Sequence, residues 1–157
     1  MTNTALGHGL TLAPVTPENV SAACLLTVRP EQQAFVAPVA ESLAEAYTQP
    51  EVAWPRLVLR GGDVVGFVMA GFDAGSPLWF FRCGIWRLNV AADAQGQGVG
   101  RFAVQVVLDE ARRRGSGRAS VLWKQGGAGP EGFYLRLGFR PTGETFHGQV
   151  VAAIELG

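Results

Sequence analysis

The stretch Leu88-Asn89-Val90-Ala91-Ala92-Asp93-Ala94-Gln95-Gly96-Gln97-Gly98-Val99-Gly100-Arg101 decides how this chain folds. A β-rich run ends at Val90, glycines take every second place from Gly96 to Gly100, and a helical pattern begins. Backbone without Cβ atoms admits a ligand to the main chain and leaves N–H groups free to meet it. The first turn of the helix adds unpaired N–H groups and a partial positive charge of about half an elementary unit. A pyrophosphate requires that combination. A Walker loop would need Lys-Ser/Thr after its last glycine, where Val99-Gly100-Arg101 stands. A dinucleotide fingerprint is spaced G-x-G-x-x-G rather than G-x-G-x-G. The loop instead carries Gln-x-x-Gly-x-Gly at Gln95, Gly98 and Gly100.

Outward from the loop, the pattern resolves into short elements. Downstream, Val104, Val107, Leu108 and Ala111 line one helical face. Arg112, Arg113 and Arg114 then fall in the last turn, with Gly115 as the residue that ends it. A strand over Ala119–Lys124 follows, then a short helix from Pro130 to Leu137 closed by Gly138. Phe139–Phe146 and Gln149–Leu156 form a hairpin turned near His147-Gly148. Upstream, Thr16-Pro17 reads as a cap and first position of a helix to about Leu26. A second helical region begins near Pro30 and restarts at Pro38, with Val39, Leu43, Ala46 and Tyr47 on one apolar face. Arg56–Arg60 and Val64–Gly71 make a hairpin across Gly61-Gly62-Asp63. One long strand runs from Trp79 to Val90. The order is β-α-α-β-β-β-α-β-α-β-β, with a right-handed crossover around the Arg101–Arg114 helix.

About thirty residues beyond the loop stands Phe133-Tyr134-Leu135-Arg136-Leu137-Gly138-Phe139. In this order and at this separation, the two segments resemble the acetyl-coenzyme A loop and the late helix-to-strand corner of the GNAT N-acetyltransferases. The likeness extends over residues 9 to 156. It implies an α/β (α+β) fold with a mixed, mostly antiparallel sheet of six to seven strands, flanked by helices, whose central parallel strands splay. It also implies a single domain over residues 1–157 and acetyl-CoA as cosubstrate. Leu88, Asn89 and Val90 would pair with pantetheine, and Gln95, Gly96, Gln97, Gly98, Val99, Gly100 and Arg101 would cradle the pyrophosphate. Ala92 and Ala94 replace a proline and an aromatic residue often seen there. Neither change touches the N–H cradle.

Tyr134 is the residue the resemblance points to for catalysis. A thiolate leaving group needs a proton, and a phenol with a pKa of about 10 keeps one at neutral pH. The base that deprotonates the acceptor is less legible. Glu41 and Glu45 lie i, i+4 on the side of their helix away from Val39 and Leu43, where they would either bind a cationic amine or form a solvated face. Trp86 and Arg87 would line the acceptor cleft, with core packing the alternative for Trp86. His147 falls at a hairpin tip, and a water chain would serve in place of a dedicated base. Neither Cys24 nor Cys83 has neighbours that suggest a nucleophile, which favours direct transfer.

Longer strings carry a finer likeness. Val28-Arg29-Pro30-Glu31-Gln32, Ser42-Leu43-Ala44-Glu45-Ala46-Tyr47, Val65-Gly66-Phe67-Val68-Met69 and Pro130-Glu131-Gly132-Phe133-Tyr134 look like the bacterial spermine/spermidine acetyltransferase branch. That branch implies a polyamine-like acceptor, although Gln149 follows Gly148 where an acidic residue is often found. A non-catalytic acyl-CoA sensor and a protein or peptide N-acetyltransferase are the alternatives on the same fold.

Composition bounds the rest. At 157 residues and 48% hydrophobic, the chain has one domain's length and ample material for a core. Thirteen basic residues balance thirteen acidic ones, which gives no electrostatic footprint for nucleic acid. Two cysteines make no disulfide framework, no metal-ligand spacing is present, and no apolar run of about 20 residues appears. The expectation is a cytoplasmic enzyme that needs no metal, binds no membrane, acts on a small-molecule amine, and leaves a homodimer open.

Overall fold

The computed structural model describes residues 9–157. Residues 1–8, which the single-domain reading includes, lie outside the described residues. Strand β1 (Leu10–Ala13) is followed by helix α1 (Val20–Leu25) and helix α2 (Val39–Thr48). Strands β2 (Ala53–Arg60) and β3 (Asp63–Gly71) form the first hairpin, and helix α3 (Trp79–Arg82) leads into strand β4 (Gly84–Val90). Helix α4 (Val99–Arg113), strand β5 (Arg118–Trp123), helix α5 (Glu131–Arg136), strand β6 (Arg140–Phe146) and strand β7 (Gln149–Glu155) complete the chain. The strands build one seven-stranded sheet in the order β1-β2-β3-β4-β5-β7-β6. Among the described residues, only the β4–β5 pair is parallel. The mixed α/β fold is the one the sequence implied.

The two sheet faces are covered by different helices. On one, Val68, Ala70, Ile85, Val121 and Trp123 pack with Phe102, Ala103, Val107 and Ala111 of α4 and with Tyr134 of α5. On the other, Leu57, Phe67 and Met69 pack with Ala23 of α1 and Val39 and Ala46 of α2. This alternation is the period-2 pattern of β3, whose residues Gly66 to Gly71 are all buried because both faces are covered.

Three readings are corrected. The apolar run after Pro77 is not strand from Trp79 onward: Trp79–Arg82 forms a helical turn and the strand starts at Gly84. The Ser76 hydroxyl accepts the Leu78 N–H at 3.2 Å and turns the chain. Phe80 and Phe81 then pack edge-on against Phe146, so tertiary contacts override their β propensity. The first helix opens at Val20 rather than Thr16, because the Asn19 side chain accepts the Thr16 N–H at 2.8 Å and makes a turn there. Tyr47 leaves the apolar face of α2 and is 86% exposed, while Ser42 is buried in its stead.

Helices α4 and α5 end alike. The Ser116 N–H bonds to the Ala111 carbonyl and the Gly115 N–H to that of Arg112, at 3.0 and 2.9 Å. The Phe139 N–H bonds to the Tyr134 carbonyl and the Gly138 N–H to that of Leu135, both at 3.1 Å. Both are Schellman motifs, with Gly115 (φ 84) and Gly138 (φ 106) in the left-handed conformation that they need.

The parallel contact is brief. Gly84 pairs with Ser120 and Ile85 with Val121, and no further β4–β5 pair forms. A Cβ on Gly84 would lie 2.2 Å from Ser120 Oγ and 2.9 Å from its carbonyl oxygen. Gly84→Ala should therefore destabilise the fold by about 1–3 kcal/mol, the usual cost of overpacking, read as a lower urea midpoint with unchanged m-value.

Candidate active site

Beyond Ile85 and Val121 the parallel strands part, and a cleft of about 1020 Å³ opens between them. Its walls include Ile85 to Leu88 and Val90 of β4, Val121 to Trp123 of β5, the glycine loop, and Phe133 and Tyr134 of α5. Main-chain alternation sorts the β4 residues. The Ala91 N–H bonds to Val65 of the β3 side at 2.9 Å, so in an antiparallel pair Asn89 and Arg87 also spend their main-chain groups on β3. Leu88 and Val90 turn theirs to the gap. The Val90 carbonyl is taken there by Gln95 Nε2 at 3.0 Å.

The glycine loop is held open by its own geometry. Gly96 (φ 78) and Gly98 (φ 86) are left-handed, and Gly98 caps α4 with no side-chain hydrogen bond. Among the described residues, the N–H groups of Gly96 through Arg101 donate to nothing, while the Gly98 carbonyl accepts the Phe102 N–H at 3.0 Å. Gly100 has another reason to lack a side chain, since a Cβ would lie 3.0 Å from Phe133 Cζ. It lets α4 and α5 close on each other. A run of unpaired N–H groups at the positive end of a fifteen-residue helix, opening on the cleft, fits a pyrophosphate.

Gln95 anchors the loop from behind. Its side-chain amide pairs reciprocally with that of Gln32, at 2.6 and 2.8 Å. The segment after Gln32 spans to the far wall, where Lys124 Nζ donates to the Ala34 carbonyl at 3.1 Å. Phe35 there lies against Gly126 and Gly129. Asn89 pins the same segment, donating Nδ2 to the Ala37 carbonyl at 3.0 Å. Sequence reasoning missed Gln32, Phe35, Trp123, Lys124 and Phe133 as site residues. Their contacts span separations as large as 63 and 90 positions, and no local pattern encodes them.

Tyr134 is set by the Schellman turn. Its carbonyl accepts the Phe139 N–H, its ring meets Phe139 edge-on at 5.6 Å, and it stacks on Trp123 at 5.7 Å with an interplanar angle of 6°. The Trp123 indole N–H is tied to Glu131 at 3.1 Å, which fixes the stacking partner. The residue is 5% exposed and lines the cleft, and its hydroxyl bonds to no described group. Burial pushes its pKa well above the ordinary phenol value.

The remaining sequence candidates divide. Glu41, Trp86 and Arg87 join Leu88, Val90, Gln95, Gly96, Gly98, Val99, Gly100, Arg101 and Tyr134 around the cleft. Asn89 is buried with its side chain toward α2, and Gln97 lies outside, accepting from Arg60 at 2.6 Å. Glu45 lines a second, adjoining pocket and accepts from Arg87 Nη2 at 2.8 Å. Glu41 thus lines the cleft and Glu45 the pocket beside it.

The model of the acetyltransferase (GNAT) family matches residues 20–139. The chain belongs to that family. It is 33% identical over 86 residues to N-acetyltransferase 8 of Mus musculus, a match spanning 55% of this chain and 38% of the relative. A paia N-acetyltransferase from Thermoplasma acidophilum, solved in complex with coenzyme A, superposes with a TM-score of 0.71 at 10% identity. That superposition covers 94% of this chain and 99% of the other. The ribosomal-protein-S18-alanine N-acetyltransferase of Escherichia coli gives 0.68 at 20% identity, covering 94% of each chain. At such identities the solved structures establish the fold alone. Among the described residues no helix is long and apolar enough to cross a membrane.

The buried phenol carries a stability signature. Its proton is held more tightly in the folded chain than in the unfolded one, where the pKa is about 10. Its contribution is thus complete below pH of about 10 and declines as pH rises, by about 1.4 kcal/mol per pH unit while only the unfolded state ionises. Urea unfolding of the wild type should lose about 1 kcal/mol more stability between pH 10 and pH 11 than Tyr134→Phe does. Parallel losses would place the hydroxyl in solvent.

Proposed function

We propose that the protein transfers an acetyl group from acetyl-CoA directly to a primary amine of a small molecule. The observation that carries this reading is the meeting, in one cleft, of an open N–H cradle, parted parallel strands and a protonated phenol. Acetyl-CoA would supply the acyl carbon and a sulfur leaving group. Gly98, Val99, Gly100 and Arg101 would hold its pyrophosphate through main-chain N–H groups, and the Leu88 N–H and C=O would pair with its amide-bearing arm. Arg101, Lys124 and Arg136, on the walls of the cleft, add positive charge for the phosphates.

The acceptor nitrogen attacks as the neutral amine. A carbon–nitrogen bond forms, the carbon–sulfur bond breaks, and Tyr134 Oη gives its proton to the departing sulfur. A raised pKa suits this role. It keeps the donor protonated at every working pH, and the thiolate, leaving into the same desolvated surroundings, is made more basic by the same cause. The proton lost by nitrogen passes to solvent along the open cleft. This hydroxyl in the cleft also favours transfer over a silent acyl-CoA sensor, which needs no acid beside the sulfur.

For the acceptor, we take a small-molecule amine, with polyamines included on the strength of the strings quoted above. A peptide N-terminus presents the same nucleophile and belongs in the same panel. Thiol release with acetyl-CoA over amines, polyamines and peptides tests the reading, and no release with any of them would refute it.

Tyr134→Phe keeps the stacking on Trp123 and the edge contact with Phe139. It should lower kcat by about 10²-fold or more, with little change in the KM for acetyl-CoA. Wild-type kcat should show no descending limb from this group near pH 10. A Phe variant with most of its turnover would leave Tyr134 a packing residue and give the proton to water.

A further inference from the structure

On the sheet face of α2, a second pocket of about 400 Å³ adjoins the cleft, sharing with it Ile85, Trp86, Arg87, Leu122 and Gln149 at the strand gap. A molecule there would reach the gap from the side opposite the phenol. Its lining combines Phe80, Phe81, Trp86 and Leu122 with the charged Glu45, Asp73 and Arg87. Glu45 and Arg87 pair with each other at 2.8 Å. Arg82, the nearest cation along the chain, spends its Nε on the Ser76 carbonyl at 2.8 Å. Asp73 is left over. Its main chain is engaged on both sides, the N–H with the Arg82 carbonyl at 3.1 Å and the carbonyl with the Ser76 N–H at 3.0 Å. Among the described residues its carboxylate makes no hydrogen bond or ion pair. Asp73 is therefore the unpaired carboxylate of the pocket lining, on a backbone held on both sides.

We infer that this pocket holds the acceptor, and that Asp73 selects acceptors bearing a second positive charge beyond the nitrogen that is acetylated. The inference rests on the acetyl-transfer reading and adds a substrate class to it. The attacking nitrogen must be neutral at the moment of attack, so it cannot also offset a carboxylate. A half-buried carboxylate gains most from a partner that stays cationic throughout the reaction. Methylene groups between the two nitrogens would lie along Phe81 and Trp86. An acceptor with a carboxylate in place of the second cation meets Asp73 as a like charge and is rejected, while Arg87 is already occupied by Glu45.

Matched four-carbon acceptors test this: 1,4-diaminobutane, butylamine and 4-aminobutanoate, each assayed by thiol release from acetyl-CoA with the full chain. Wild-type kcat/KM should be at least about tenfold higher for the diamine than for butylamine, and lowest for 4-aminobutanoate. Asp73→Asn should collapse the diamine-to-butylamine ratio toward one, and Asp73→Glu, which restores the charge, should recover most of it. A ratio that survives in Asp73→Asn overturns the assignment, as does a wild type that uses butylamine as well as the diamine. No thiol release with any of the three, or with peptides, overturns the transfer reading and this inference together.

Discussion

The site depends on two parallel strands that stop pairing after Gly84–Ser120 and Ile85–Val121. Main-chain N–H and C=O groups are costly to bury without partners, so strands that part inside a sheet need something between them. Here the need is met unequally. Gln95 takes the Val90 carbonyl, but Leu88 and the start of α4 keep their groups open to the cleft. The register at the point of parting is enforced sterically. Gly84 sits against Ser120 Oγ, itself held by the Phe80 carbonyl at 2.6 Å, and Gly71 leaves room for the Trp86 ring where β3 and β4 slip by one residue. A chain that kept pairing would have a better sheet and no site.

The glycines of the loop do separate jobs. Gly96 and Gly98 supply left-handed backbone that turns the N–H groups outward, and no neighbouring atom would obstruct a Cβ at either. Gly100 is conformationally ordinary and is small because Phe133 lies over it. The same alternation of glycines thus encodes a turn twice and a helix-to-helix contact once. Tyr134 is placed just as locally. It is the residue whose carbonyl closes the Schellman turn of α5, and Phe139, two positions past the helix cap, packs on its ring. The Tyr-x-x-Leu-Gly-Phe pattern is legible because one hydrogen-bonded turn fixes all of it.

What the sequence concealed is non-local. The Gln32–Gln95 amide pair, the Lys124–Ala34 bond and the second pocket around Asp73 join segments that no period relates. Glu41 and Glu45 show the limit within one helix. Their i, i+4 spacing put them on one face, yet the walls of two pockets divide them, and Arg87 claims Glu45 alone. The segment Trp79-Phe80-Phe81 failed for the opposite reason. Its aromatic run has strand propensity, and the Ser76 turn with the Phe146 contact overrides it.

The most direct test addresses the main-chain cradle. Arg101 stands in the first turn of α4, is exposed, and its N–H has no described partner, so a proline there removes no helix hydrogen bond. Arg101→Ala and Arg101→Pro both remove the guanidinium, but only the proline also removes an N–H. Calorimetric titration of coenzyme A should show the proline variant binding at least about tenfold more weakly than the alanine variant, a difference of about 1.4 kcal/mol, with matching circular dichroism. Equal affinities for the two variants would mean that main-chain N–H groups at this helix end do not hold the pyrophosphate, contradicting the account.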